Sequence, residues 1–297
     1  MRYPMLMLTL VLAAILAAPA WAAEFPIEQV DGAISGVAQQ LPGPVYKYSW
    51  PRTDLRVQVD ATDVAPGLAL GSWAAFMPGP GGKAEVMGDL VLLESEVNPV
   101  VAVLNSEGLL VTGIHNHLAR EIPPLRYVHL MGSGDPVALA RGIKAALEKT
   151  ATPLYPRPAT QKRGLELPNW ANEIAKTLGR KGQLSGAVYS VGVPRADTVR
   201  VDGEPTPPAM GLAIALNFER SGDEVASTGD FVLVASEVNP VIEALQQHHI
   251  EVTALHNHML DDQPHLFFVH YWAVGKPASI AKGLEAALEH VNVKPAS

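Results

Sequence analysis

The feature that most limits what this 297-residue chain can become is that it writes one unit twice. The run Gly88-Asp89-Leu90-Val91-Leu92-Leu93-Glu94-Ser95-Glu96-Val97-Asn98-Pro99-Val100 returns as Gly229-Asp230-Phe231-Val232-Leu233-Val234-Ala235-Ser236-Glu237-Val238-Asn239-Pro240-Val241. Without a gap, Val111-Thr112-Gly113-Ile114-His115-Asn116-His117 then answers to Val252-Thr253-Ala254-Leu255-His256-Asn257-His258, and Val128-His129 to Val269-His270. Upstream, after a small shift in register, Val45-Tyr46 and Pro51-Arg52-Thr53-Asp54 correspond to Val188-Tyr189 and Pro194-Arg195-Ala196-Asp197. Two like domains are therefore expected. Differences between the copies show which residues the unit keeps.

The expected organisation is a signal peptide over 1–22, a first repeat domain over 23–152, a Pro-rich linker over 153–165 and a second repeat domain over 166–297. Arg2, an apolar run from Met5 to Ala18 and the small residues of Ala20-Trp21-Ala22 have the order of a Sec-type leader. The apolar run is too short for a comfortable membrane span. The chain has no cysteine, so a lipid cannot be attached at the cleavage point, and disulfides and thiolate metal sites are excluded as well. The expectation is a periplasmic or secreted protein with no stable membrane anchor after cleavage. A formal charge of −8 argues against nucleic acid as a partner.

Within each copy the pattern predicts an amphipathic helix, with Val30, Ile34, Val37 and Leu41 on one face in the first repeat and Trp170, Ile174 and Leu178 in the second. Two or three Val- and Tyr-rich strands follow. A strand from Gly88 to Glu96 should then enter a helix capped by Asn98, with Pro99 at its first position. Strands from about Leu109 to His117 and Leu125 to Met131 come next, and helices over Pro136–Glu148 and Pro277–Glu289 close the copies. The predicted class is α+β: two tandem pseudo-symmetric domains, each a mainly antiparallel sheet with helices packed on one face.

All three histidines of the first copy, His115, His117 and His129, recur as His256, His258 and His270, whereas His248, His249, His265 and His290 have no counterpart. Strand alternation puts His115 and His117 on one face and Asn116 on the other. A hairpin with its turn near 118–124 sets Tyr127 opposite His115 and His129 opposite Gly113. Three imidazoles on one rigid hairpin make a face for a divalent transition metal, zinc favoured. The small residue opposite the third histidine, Gly113 or Ala254, would leave room for an ion.

Glu96 and Glu237 are the candidate acidic partners or general bases; Glu94 is not, since Ala235 replaces it. Arg52 and Arg195 are candidate substrate-binding residues. Each has a plainer alternative. The glutamates fit a helix entry, the arginines a turn-fixing pair with Asp54 and Asp197, Asn98 and Asn239 helix caps, and the histidines a hydrogen-bonded face without metal. Asn116 and Asn257 are expected to bond backbone. Ser95 and Ser236 lack the glycine elbow of a serine hydrolase. The letters His-Asn-His carry no nuclease meaning in an acidic chain.

The Ser-Glu-Val-Asn-Pro block, the Val-Thr-x-x-His-Asn-His segment and the strand ending in Val-His resemble the bacterial LppY/LpqO-type family of exported (lipo)proteins, a domain of unknown function present here as a tandem duplication. The resemblance covers most of the mature chain and implies an exported location without implying an activity. The missing lipid-accepting cysteine departs from the lipoprotein members. Three functions remain: a protein binding a metal ion or small molecule at a three-histidine site in each repeat, a metal-dependent hydrolase using Glu96 or Glu237 as base, and a metal-free structural module for a protein partner.

Overall fold

The alternation of side chains along the long central strands decides the architecture, because both faces of each sheet are covered, and by different things. A computed structural model describes residues 25–154 and 166–296. The expected signal peptide and residues 155–165 of the linker lie outside the described residues.

The first repeat runs α1 (Ile27–Ile34), β1 (Gln39–Leu41), β2 (Val45–Pro51), β3 (Val57–Val59), β4 (Thr62–Val64), α2 (Pro66–Ala69), β5 (Gly71–Pro78), β6 (Ala84–Leu93), α3 (Glu94–Ser106), β7 (Leu110–His115), β8 (Glu121–Ile122), β9 (Leu125–Gly134) and α4 (Pro136–Leu147). The second runs α5 (Asn169–Leu178), β10 (Gln183–Ser185), β11 (Val188–Pro194), β12 (Arg200–Val201), β13 (Glu204–Pro205), β14 (Ala213–Ser221), β15 (Glu224–Val234), α6 (Ala235–Gln247), β16 (Glu251–His256), β17 (Asp262–Gln263), β18 (Leu266–Gly275) and α7 (Pro277–Leu288). Each repeat forms a six-stranded sheet, in the orders β1-β2-β5-β6-β9-β7 and β10-β11-β14-β15-β18-β16. Every neighbouring pair in both is antiparallel. The fold is α+β and duplicated.

On β6, Ala84, Val86, Leu90 and Leu92 pack with Val100 and Leu104 of α3 and Ile143 and Leu147 of α4. The residues between them point the other way. Met87, with Ala75, Met77 and Met131, joins the apolar core of the second repeat, and Val91 and Tyr127 pack with Val188, Ala226 and Trp272. The two sheets therefore meet on their helix-free faces, with helices outside. Burying both faces is what gives β6 an almost unbroken run of buried residues rather than a clean alternation.

Two local expectations are corrected. Helix α1 stops at Ile34, because Ser35 takes a left-handed conformation; Val37 is exposed and Leu41 belongs to β1. Helix α3 begins at Glu94, so Pro99 lies inside it and Asn98 is no cap. The end of the helix is fixed instead by Glu96, whose carboxylate accepts the Leu93 N–H at 2.8 Å, and Glu237 repeats this on Val234 at 2.9 Å.

Candidate metal centre

In the first sheet Asp89 of β6 lies directly opposite His129 of β9, and His129 lies opposite Gly113 of β7. His115 faces Tyr127, as the hairpin register predicted. β7 ends at His115, however, so His117 sits on the turn that follows rather than on the strand. The second sheet repeats the row, with Asp230 opposite His270 and His270 opposite Ala254. Because rows of a pleated sheet share a face, these side chains all point at the other repeat.

They meet there. His115 and His256 stack with ring centroids 3.5 Å apart, His117 lies 3.9 Å from His270, and His129 lies 3.8 Å from His258. Exchanging the repeats maps this pattern onto itself, so a pseudo-two-fold axis passes between His115 and His256. Outer rings back the cluster: Tyr127 stacks on His117 at 3.5 Å and Phe268 on His258 at 3.3 Å. The three histidines of the first repeat do converge, with Asp89 beside them, but the trios of the two repeats are not separate: they meet in one six-histidine cluster.

The other residues of the repeated motif make the clamp. Thr112 Oγ1 donates to the His258 carbonyl and Thr253 Oγ1 to the His117 carbonyl. Asn116 Nδ2 donates to the Thr253 carbonyl, and Asn257 Nδ2 to that of Thr112. The asparagines thus bond backbone, but across the repeats. The room expected at Gly113 is taken by this crossing, since a Cβ there would stand 3.0 Å from the Asn257 carbonyl oxygen.

The electrostatics favour neutral rings with free lone pairs. Burial lowers the pKa of all six histidines, that of His129 to about 3. The Nε2 atoms of all six, with His256 Nδ1 and Asp89 Oδ1, are buried without a hydrogen-bond partner. His117 Nε2 is 3.2 Å from Asp89 Oδ2 without making a hydrogen bond to it. Nδ1 of His270 meets the Gly229 carbonyl at 2.9 Å and Nδ1 of His115 the Asn116 carbonyl at 3.2 Å, which leaves Nε2 of each as the free acceptor. Each unpaired buried polar atom costs about 1–3 kcal/mol, and with so many converging in one place these residues could hold a metal ion.

Four groups bring their ligand atoms within 4.8 Å of one another: Asp89 with His115, His117 and His129; His115 with His256 and His270; His129 with His256 and His258; and Asp230 with His258 and His270. Asp89 and Asp230 were missed in the sequence. Both copies carry the Gly-Asp pair that would have announced them, but only the β6–β9 and β15–β18 pairings bring the carboxylates beside histidines. Burial raises the pKa of Asp230 to about 7. Lys47 of β2 was also missed; it lies over the Trp73 ring at 4.6 Å, and burial lowers its pKa against the opposing pull of Asp89 and Asp230.

Glu96, Glu237, Arg52 and Arg195 are placed elsewhere. The buried Arg52 guanidinium donates to both oxygens of Glu96, at 2.7 and 3.2 Å, to Asp54 and to the Val91 carbonyl. Arg195 does the same with Glu237, Asp197 and the Val232 carbonyl. The carboxylates also accept the N–H groups of Ala151 and Asn292. These bonds occupy the guanidinium donors and both oxygens of each glutamate, so the base and substrate roles expected of these four residues give way to an ion pair that fixes a turn and a helix entry.

A cleft of about 500 Å³ opens beside the cluster, lined by His115, Ile114, Asn116, Leu118, Arg120 and Arg126. Another, of about 450 Å³, lies between Met77 and the Pro205–Pro208 segment and includes none of the histidines.

A family model described as Domain of Unknown Function (DUF1259) matches residues 28–149 and again residues 172–290. No curated protein matches the sequence. Among solved structures, the chain is similar to one titled "Crystal structure of EtuB from Clostridium kluyveri", at 11% identity over 87% of this chain and 94% of that one. The TM-score is 0.20, and this likeness carries no argument.

Proposed function

This chain belongs to the Domain of Unknown Function (DUF1259) family through both of its halves, and because that description names no activity we propose a function from the site: an exported protein of the LppY/LpqO type that binds a divalent transition metal, zinc favoured, between its repeats. The observation that carries the reading is the convergence of buried, unpartnered imidazole Nε2 atoms with Asp89 and Asp230 beside them. Neutral imidazole is the form that ligates, and burial keeps these rings neutral. Zinc suits a set of three imidazoles and a carboxylate at four-coordination.

Binding, rather than hydrolysis through Glu96 or Glu237, is favoured by the commitment of both glutamates to arginine. The cleft at His115 supports a narrower second reading, in which a small ligand reaches the bound ion.

The test is metal content. Protein purified without chelators should carry a first-row transition metal, and His117→Ala with His129→Ala should lower that content while circular dichroism stays that of the folded chain. A protein that takes up no zinc, or whose zinc is untouched by the double substitution, would leave only the structural module.

A further inference from the structure

We propose that the centre is dinuclear, with one divalent ion on the Asp89 side and a second on the Asp230 side; this rests on the metal-binding reading above. The argument is a count of donors. Zinc closes its shell with about four ligands. Asp89, His115, His117 and His129 supply four from the first repeat alone. An ion held there leaves His258 Nε2, His270 Nε2 and both nitrogens of His256 still buried and unpartnered. A single ion therefore answers half of the problem the fold has created.

The second set is on the other side of the pseudo-two-fold axis. Asp230, His258 and His270 form a group of their own that shares no residue with the first. His256 belongs to both of the mixed groups, with His115 and His270 and with His129 and His258, so it stands between the two positions. The sets are adjacent as well as disjoint, since the His117 and His270 rings are 3.9 Å apart and the His129 and His258 rings 3.8 Å apart. Ions in protein two-metal sites sit about 3.5–4 Å from one another, and donor atoms from the two sets lie within 4.8 Å of each other, His115 with His270 and His129 with His258, so the two positions are neighbours. The duplication thus makes one two-ion site in which each repeat supplies an aspartate and three imidazoles.

Two measurements on the full-length mature chain test this. After removal of metal, zinc is added in steps and bound zinc is counted after dialysis; copper(II) is added in a parallel series and followed by electron paramagnetic resonance. The expected result is two zinc ions per chain, with a half-field signal from coupled copper ions that grows between one and two equivalents. Asp230→Asn with His270→Ala should reduce capacity to one ion and abolish the half-field signal. Saturation of the unaltered chain at one ion would overturn the proposal while leaving the metal-binding reading intact. So would two ions with only isolated-copper signals. No retained ion at all would overturn both.

Discussion

Thr112 donates its hydroxyl to the main-chain carbonyl of His258, a residue of the other repeat, and Thr253 returns the bond to His117. Each copy thereby holds the histidine-bearing turn of its twin. Sheets packed face to face by methionine and alanine alone could slide; these bonds fix their register at the imidazoles.

Replacing both threonines by valine keeps shape and removes the donors. Leaving two carbonyls short of a partner should cost about 1–3 kcal/mol each, seen as a lower urea midpoint. Zinc affinity should fall with it, because the turns carrying His117 and His258 lose their anchors. Unchanged stability and affinity would show that the register is set elsewhere.

Glu96→Gln should separate structure from chemistry. It breaks a buried pair, since the Arg52 side chain has 0% exposure and that of Glu96 10%, and breaking such a pair costs about 3–5 kcal/mol. Zinc content of the variant that remains folded should not change. Loss of metal with full stability would put Glu96 at the ion.

The metal-free chain should lose stability in acid over a defined range. An unfolded histidine takes up a proton near pH 6.5, whereas the buried rings resist it, His129 until about pH 3. Below pH 6.5 the unfolded state therefore binds more protons, and stability falls by about 1.4 kcal/mol per pH unit for each ring that stays neutral. Asp230 acts in the opposite sense: its folded value of about 7 exceeds its ordinary 3.8, so it costs stability as pH rises between them. Six histidines outweigh one aspartate. Urea midpoints should drop steadily from pH 7 to pH 5, and a flat or rising series would contradict the neutral-ring assignment.

Removing metal should lower thermal stability at neutral pH. Zinc at about 100 times its Kd adds about 2.7 kcal/mol, or roughly 4–5 °C in Tm for a chain of this size. Calorimetry with and without chelator measures it, and an unchanged Tm would count against a site that binds only the folded state.

Much of this was legible in the sequence, and the rest failed for identifiable reasons. The duplication, the sheet with helices on one face and the hairpin pairing of His115 with Tyr127 follow from repetition and strand period. Helix α3 was placed too late because Asn98-Pro99 looks like a helix start, while the acid that fixes that start, Glu96, lies three residues into the helix and reaches back. Asp89 was signalled only by its recurrence as Asp230, and Lys47 by nothing local, because the strand order β2-β5-β6-β9 that sets them in one sheet with the histidines is not written in either neighbourhood. The meeting of two histidine faces was beyond reach for the same reason: Thr112 and Asn257 look like ordinary strand and loop residues until each is seen bonding the opposite copy.

The central claim is that the buried Nε2 atoms are metal ligands, and X-ray absorption at the zinc edge of the zinc-loaded chain tests it most directly. The account predicts a nitrogen and oxygen shell at about 2.0–2.1 Å with the outer-shell scattering of several imidazole rings per ion. A spectrum of oxygen neighbours without imidazole scattering would contradict it.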